Sequence, residues 1–141
     1  IHAAKDPNNA NLDRIQLIKG WSDADGEIHE RIWDVAVSDG RSIGLDGRCR
    51  TPVGSTVDVA DASYRNSIGA AALTGFWRDE TFDPTERAFY YVRVLEIPTP
   101  RWTTYDAKFF QRDIPKGAPT EIQERAYTSP IWYTPGQGPA G

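Results

Sequence analysis

One cysteine, two histidines and no methionine occur in the 141 residues of this chain. A single thiol, Cys49, excludes an intrachain disulfide and any zinc site built from several cysteines. Two imidazoles, His2 and His29, fall short of the several His and carboxylate ligands that a catalytic metal centre usually gathers. Neither a His-x-His nor a His-Glu-x-x-His pair is present. No segment approaches the roughly 20 apolar residues of a membrane helix. A net charge of −4 and a pI near 5.1, without a basic stripe, remove the electrostatic footing for nucleic acid. The serines lack a Gly-x-Ser-x-Gly elbow, and no spacing pairs Asp106, Glu121 and Glu124 as acid and base. No catalytic residue and no metal ligand is assigned.

What the chain has is aromatic area: five Trp, six Tyr and five Phe, enough to build one core in a single domain. Arg87–Pro98 (RAFYYVRVLEIP) is the clearest element. Phe89, Tyr91, Arg93, Leu95 and Ile97 alternate with Ala88, Tyr90, Val92, Val94 and Glu96. Both sets are largely apolar, which predicts an inner strand covered on both faces. Asp83-Pro84 before it signals a turn, and Pro98 and Pro100 end it because proline cannot donate to the ladder.

Leu12–Trp21 reads as a strand with Ile15 and Leu17 on one face and Ile18 on the other. Ser22–Gly26 closes a hairpin, Asp-Gly being a strong turn signal. Glu27–Ser38 returns with His29, Arg31, Trp33, Val35 and Val37 opposite Ile28, Glu30, Ile32, Asp34 and Ala36. Asp39–Pro52 reads as a long exposed loop. Val57–Ala62 and Leu73–Arg78 are short strand candidates, with Tyr64–Ala72 between them ambiguous. Arg101–Phe110 is expected to be a short strand or ordered loop, and Arg112–Thr120 a loop. Ile122–Tyr133 is expected to be the last strand, interrupted at Pro130. About seven short strands between turn signals predict an all-β, antiparallel sandwich of immunoglobulin or fibronectin type over residues 1–134. Residues 135–141 read as a flexible tail. Ile1–Ala4 looks like the end of a strand already under way, so the chain reads as part of a longer protein.

Four features invite chemistry. Asp23-x-Asp25-Gly26 resembles the opening of a calcium loop, but Ile32 stands where the bidentate Glu belongs, and a hairpin turn is the simpler reading. His29 shares a face with Trp33 and reads as partly buried and hydrogen-bonded. Arg48 and Arg50 flank Cys49 and are able to activate it, although an incidental surface thiol explains it as well. Thr99–Asp106 places Arg101, Trp102, Tyr105 and Asp106 within a few residues, a set suited to a sugar, an anion or another domain. The plainer alternative is a core Trp with an Arg–Asp pair at the sandwich edge.

Asn11–Trp21 (NLDRIQLIKGW), Val53–Val59 (VGSTVDV), Asn66–Ala70 (NSIGA), Arg87–Trp102 and Gln123–Tyr133 (QERAYTSPIWY) resemble, in this order, the C-terminal region of a large bacterial family. It is known as domain of unknown function 3604. The resemblance implies a longer parent whose N-terminal part is similar to PHP (polymerase and histidinol phosphatase) metallohydrolases, binding divalent metal for phosphoester-type hydrolysis. None of those ligand motifs has a counterpart here. The implied role is therefore a non-catalytic accessory domain packed on the catalytic domain of the same chain. An export signal in the parent would place it in the periplasm or cell envelope. The alternative is a glycan- or envelope-binding module using Trp21, Trp102 or Trp132 as stacking platforms.

Overall fold

In chain order the elements are β1 (His2–Ala4), β2 (Leu12–Ser22), β3 (Ile28–Val37), β4 (Ala72–Thr74), β5 (Arg87–Glu96), β6 (Thr99–Pro100), helix α1 (Trp102–Phe110), β7 (Glu121–Ile122), β8 (Arg125–Tyr127) and β9 (Ile131–Tyr133). The computed structural model describes residues 1–136. The tail expected over 135–141 lies outside them from residue 137 on.

β2 runs between β3 and β5, and β5 carries β8 and β9 in succession along its other edge. Arg87–Glu96 is thus an inner strand, as its sequence predicts. Among the described residues, the expected cover on both faces is not found: Phe89 and Tyr91 lie on a face where the neighbouring Trp132 and Tyr127 are exposed. β1 pairs with β4, β6 pairs with β7, and every pairing is antiparallel. The architecture is all-β and sandwich-like, with one short helix.

Directly opposed residues share a face of an antiparallel sheet. On the inner face Ile15 opposes Val94, Leu17 opposes Val92 and Trp33, and Lys19 opposes Tyr90 and Arg31. Leu73 of β4 and Ala3 of β1 close over this face and form the core with Leu12, Ile15 and Val35. Strict alternation would send Val35 and Ala36 to opposite faces. A bulge intervenes, since Ile15 opposes Ala36 while Gln16 already opposes Asp34. The extra residue lets both Val35 and Ala36 pack on the core.

β4 stops at Thr74, well short of the strand expected through Arg78. Gly75 lies so close to β3 that a Cβ there would sit 2.7 Å from Val35 Cγ1. The chain then crosses the inner face, placing Trp77 4.9 Å from Trp33 and 6.1 Å from Tyr90, ring centre to ring centre. Lys19 Nζ donates to Asp79 at 2.7 Å and the Tyr90 hydroxyl donates to the same oxygen at 2.8 Å. Lys19 also lies 5.0 Å from the Trp21 ring centre.

The loop after β3 is better anchored than its composition suggests. Asp34 accepts from Gln16 Nε2 at 2.7 Å, Arg14 Nη1 at 3.1 Å and the Cys49 amide at 2.7 Å. Asp13 accepts from Arg14, Arg41 and Gln123. Buried carboxylates need such partners, and they pull the loop inward. Cys49 is consequently buried, with Sγ 3.4 Å from the Thr51 carbonyl, and is not a surface thiol.

Two further expectations change and one ambiguity is resolved. Val57–Ala62 forms turns closed by an Asp58–Ser63 bridge, not a strand. Tyr64–Ala72, ambiguous in sequence, forms turns and bends and meets β2 through an Ala70–Leu12 bridge. Residues 102–110 form α1 rather than a strand or loop. The Asp23 turn is a hairpin: its Oδ1 accepts from the amides of Asp25 and Glu27, and Oδ2 lies 2.7 Å from His29 Nε2. His29 stacks on Trp21 with centroids 5.1 Å apart.

Candidate functional site

The four residues singled out in sequence, Arg101, Trp102, Tyr105 and Asp106, lie at the start of α1. Arg101 has extended backbone (φ −73°, ψ 160°) and precedes the first helical turn. Its carbonyl accepts the Thr104 amide at 2.9 Å. Thr99 and Pro100 pair with Ile122 and Glu121, and the Arg101 amide donates to the Thr120 carbonyl at 2.9 Å. Two hydroxyls then fasten the helix to the returning chain. Thr103 Oγ1 donates to the Pro119 carbonyl at 2.8 Å, and Thr104 Oγ1 donates to that of Thr120 at 2.6 Å. Lys108 Nζ donates to the Asp61 carboxylate at 2.7 Å and holds that carboxyl below its usual range. Gln111 ends the helix in the left-handed conformation, with the Arg112 amide donating to the Ala107 carbonyl at 2.9 Å.

Thr104 is the helix's buried residue. Trp102, Tyr105 and Phe109 follow helical spacing down one stripe, and Trp102 is 63% and Phe109 80% exposed. Phe110 packs edge-on against Phe109 at 5.0 Å and is also exposed. A groove of about 190 Å³ runs between Trp102, Asp106 and Phe110 on the helix and Arg112 and Pro115 beyond it. Trp102 and Asp106 meet there, Tyr105 borders a second depression with Asp106 and Phe109, and Arg101 lines neither. Trp102 is therefore not a core residue, and no Arg101–Asp106 ion pair forms among the described residues. Phe109 and Phe110 were missed in sequence, although the spacing of Trp102, Tyr105 and Phe109 is a helical signal.

The second surface lies on the outer face of the five-stranded sheet. Gly20 of β2 opposes Phe89, and a Cβ at residue 20 would meet the Phe89 ring at 2.3 Å. The missing side chain lets that ring lie across the strand. Trp132 stands beside it at 5.2 Å and is 71% exposed. A groove of about 270 Å³ opens here, lined by Trp21, Ile28, Arg87, Phe89 and Trp132. Farther along, Arg93 Nε donates to Gln16 Oε1 at 2.8 Å. The Arg125 guanidinium, with help from Arg93, holds the exposed Tyr127 phenol below its ordinary pKa.

Among the described residues no three His, Cys, Asp or Glu side chains gather as a metal site. No helix among them is long and apolar enough to cross a membrane. Residues 1–135 match the family described as Protein of unknown function (DUF3604). No curated protein and no solved structure matches the chain.

Proposed function

The chain belongs to the DUF3604 family of proteins of unknown function, and from that premise we propose that it is a non-catalytic accessory domain that docks on a neighbouring domain through α1. The observation that carries this reading is a helix that turns Trp102, Tyr105, Phe109 and Phe110 outward and buries Thr104. A helix in a finished domain turns its apolar stripe to the core, and contiguous exposed aromatics mark an interaction surface. In this reading the neighbour is the PHP-type metallohydrolase domain implied by the sequence resemblance. That domain binds the divalent metal and performs phosphoester-type hydrolysis, while this immunoglobulin- or fibronectin-like sandwich covers one side of it. Arg101, at the leading end of the helix, offers a guanidinium fork to an anionic substrate at the rim.

Hydrogen exchange over residues 102–110, compared between this chain and the parent protein, tests the docking. Strong protection in the parent is expected; equal exchange in both would sink the reading. Arg101→Ala in the parent should raise KM with kcat little changed.

A second reading, a module for glycans or envelope polymers, is favoured by one observation. Trp132 is exposed beside Phe89 on the outer face, with ring centres 5.2 Å apart, as a stacking platform requires, and Trp21 borders the same groove from the far side of β2.

A further inference from the structure

β5 turns Arg87, Phe89, Tyr91 and Arg93 to the outer face at every second position. Alternate residues of a strand are spaced by roughly 6.7 Å, so this row is about 20 Å long. It has a guanidinium at each end and two rings between. Phe89 and Tyr91 are nearly parallel, 12° apart with centroids at 6.3 Å. The edge strands widen the row. Trp132 opposes Phe89, and Tyr127 opposes Arg93 and lies 6.2 Å from Tyr91.

The charges on this face are unbalanced. By register its carboxylates are Asp34 and Glu30 of β3, across the width of β2, and Asp34 is already held by Arg14 and Gln16. Arg87 and Arg125 form no ion pair among the described residues, and Arg93 commits its Nε to an uncharged amide. A chain of net charge −4 thus concentrates three guanidinium groups around an aromatic row.

We infer that this row is a binding track for an extended carboxylated polysaccharide. The apolar C–H face of a pyranose packs on Trp132 and Phe89, the next ring on Tyr91, and the carboxylates meet the forks of Arg93, Arg125 and Arg87. The groove of about 270 Å³ is below the usual size of a drug-like site and suits one ring of a longer polymer. The guanidinium forks match a planar carboxylate in two parallel bonds. The same rings and charges would also stack a single-stranded nucleic acid, which the test separates. This inference deepens the second reading above and rests on it.

Affinity electrophoresis in gels containing polygalacturonate, dextran or poly(dT) tests it. Retardation by polygalacturonate alone is expected, weakening as salt rises. Trp132→Ala and Arg125→Gln, both at exposed positions, should each weaken retention at least tenfold while leaving the circular dichroism spectrum unchanged. Equal retention by dextran, indifferent to Arg125→Gln, would overturn the acidic ligand but leave a glycan module standing. Retention by no polysaccharide would overturn both. A preference for poly(dT) would reassign the row to nucleic acid.

Discussion

Tyr90 and Tyr91 are adjacent in the chain, point to opposite faces of the sheet, and differ in how their surroundings are completed. On the inner face, the Tyr90 hydroxyl and Lys19 Nζ share one carboxylate, Asp79, beneath Trp77. Burial together with that bond drives the Tyr90 phenol well above its ordinary pKa. On the outer face, Tyr91 lies in a row whose guanidiniums form no ion pair among the described residues. The two faces of β5 are similarly rich in aromatic and aliphatic side chains. Pairing of the buried polar groups distinguishes them: Lys19 and Tyr90 share Asp79 on one face, while Arg87, Arg93 and Arg125 on the other form no ion pair among the described residues.

The comparison breaks most sharply at Asp79. Asp79→Ala leaves the Lys19 ammonium buried and alone, and should cost about 3–5 kcal/mol in urea unfolding. A Lys19→Met, Asp79→Leu double variant should recover most of that loss, because it removes both charges. Ile15→Ala, on the same inner face, should cost about 2–5 kcal/mol by leaving a cavity. Gly20→Ala, on the outer face, should cost about 1–3 kcal/mol as the Phe89 ring is pushed aside. The same change should distort the groove beside Trp132 and weaken polymer retention.

The smallest effects are electrostatic and opposite in sign. Burial pushes the Asp79 carboxyl up, but bonds from Lys19, Tyr90 and Thr81 outweigh it and leave its pKa lowered. Its stabilisation is therefore complete above the ordinary carboxylate value of about 3.9 and is lost as pH falls through the lower folded value. Glu96 is raised by burial and by Glu124. Its contribution is present below the ordinary value of about 4.3 and disappears as pH rises through the folded value. Across an unfolding series from about pH 3 to pH 7, Asp79→Asn should flatten the acid limb and Glu96→Gln the opposing slope.

The long strands were legible because alternation is a local signal: β2, β3, β5 and the Asp23–Gly26 turn fall where their residues predict. The break at Pro130 is also legible, whereas a second break at residues 123–124, which sends Ile122 to pair with Thr99 on another sheet, is not. What escaped sequence depends on distant partners. Thr103 and Thr104 favour extended backbone on their own, yet their hydroxyls find carbonyls sixteen residues later and fix a helix. Arg41 and Cys49 looked exposed because Asp13 and Asp34, which draw them inward, lie on other elements. No alternation pattern separates Phe89 and Tyr91 from Val92 and Val94, since hydropathy does not record which face has a covering layer. Of the candidate site, Trp102, Tyr105 and Asp106 were found by residue type, while Phe109 and Phe110 needed the helix.

Pro130 has a colloidal consequence. The free edge beyond β5 is offered as two three-residue pieces, β8 and β9, with an N–H missing between them. Each piece is about 10 Å long, too short to template a continuous ladder with another copy. At the opposite margin, the Gly47 carbonyl already accepts the Asp34 amide at 2.8 Å. Along the β8–β9 margin, copies crowded together meet no uninterrupted rail along which to pair. The aromatic row thus borders an edge too broken to seed a continuous ladder.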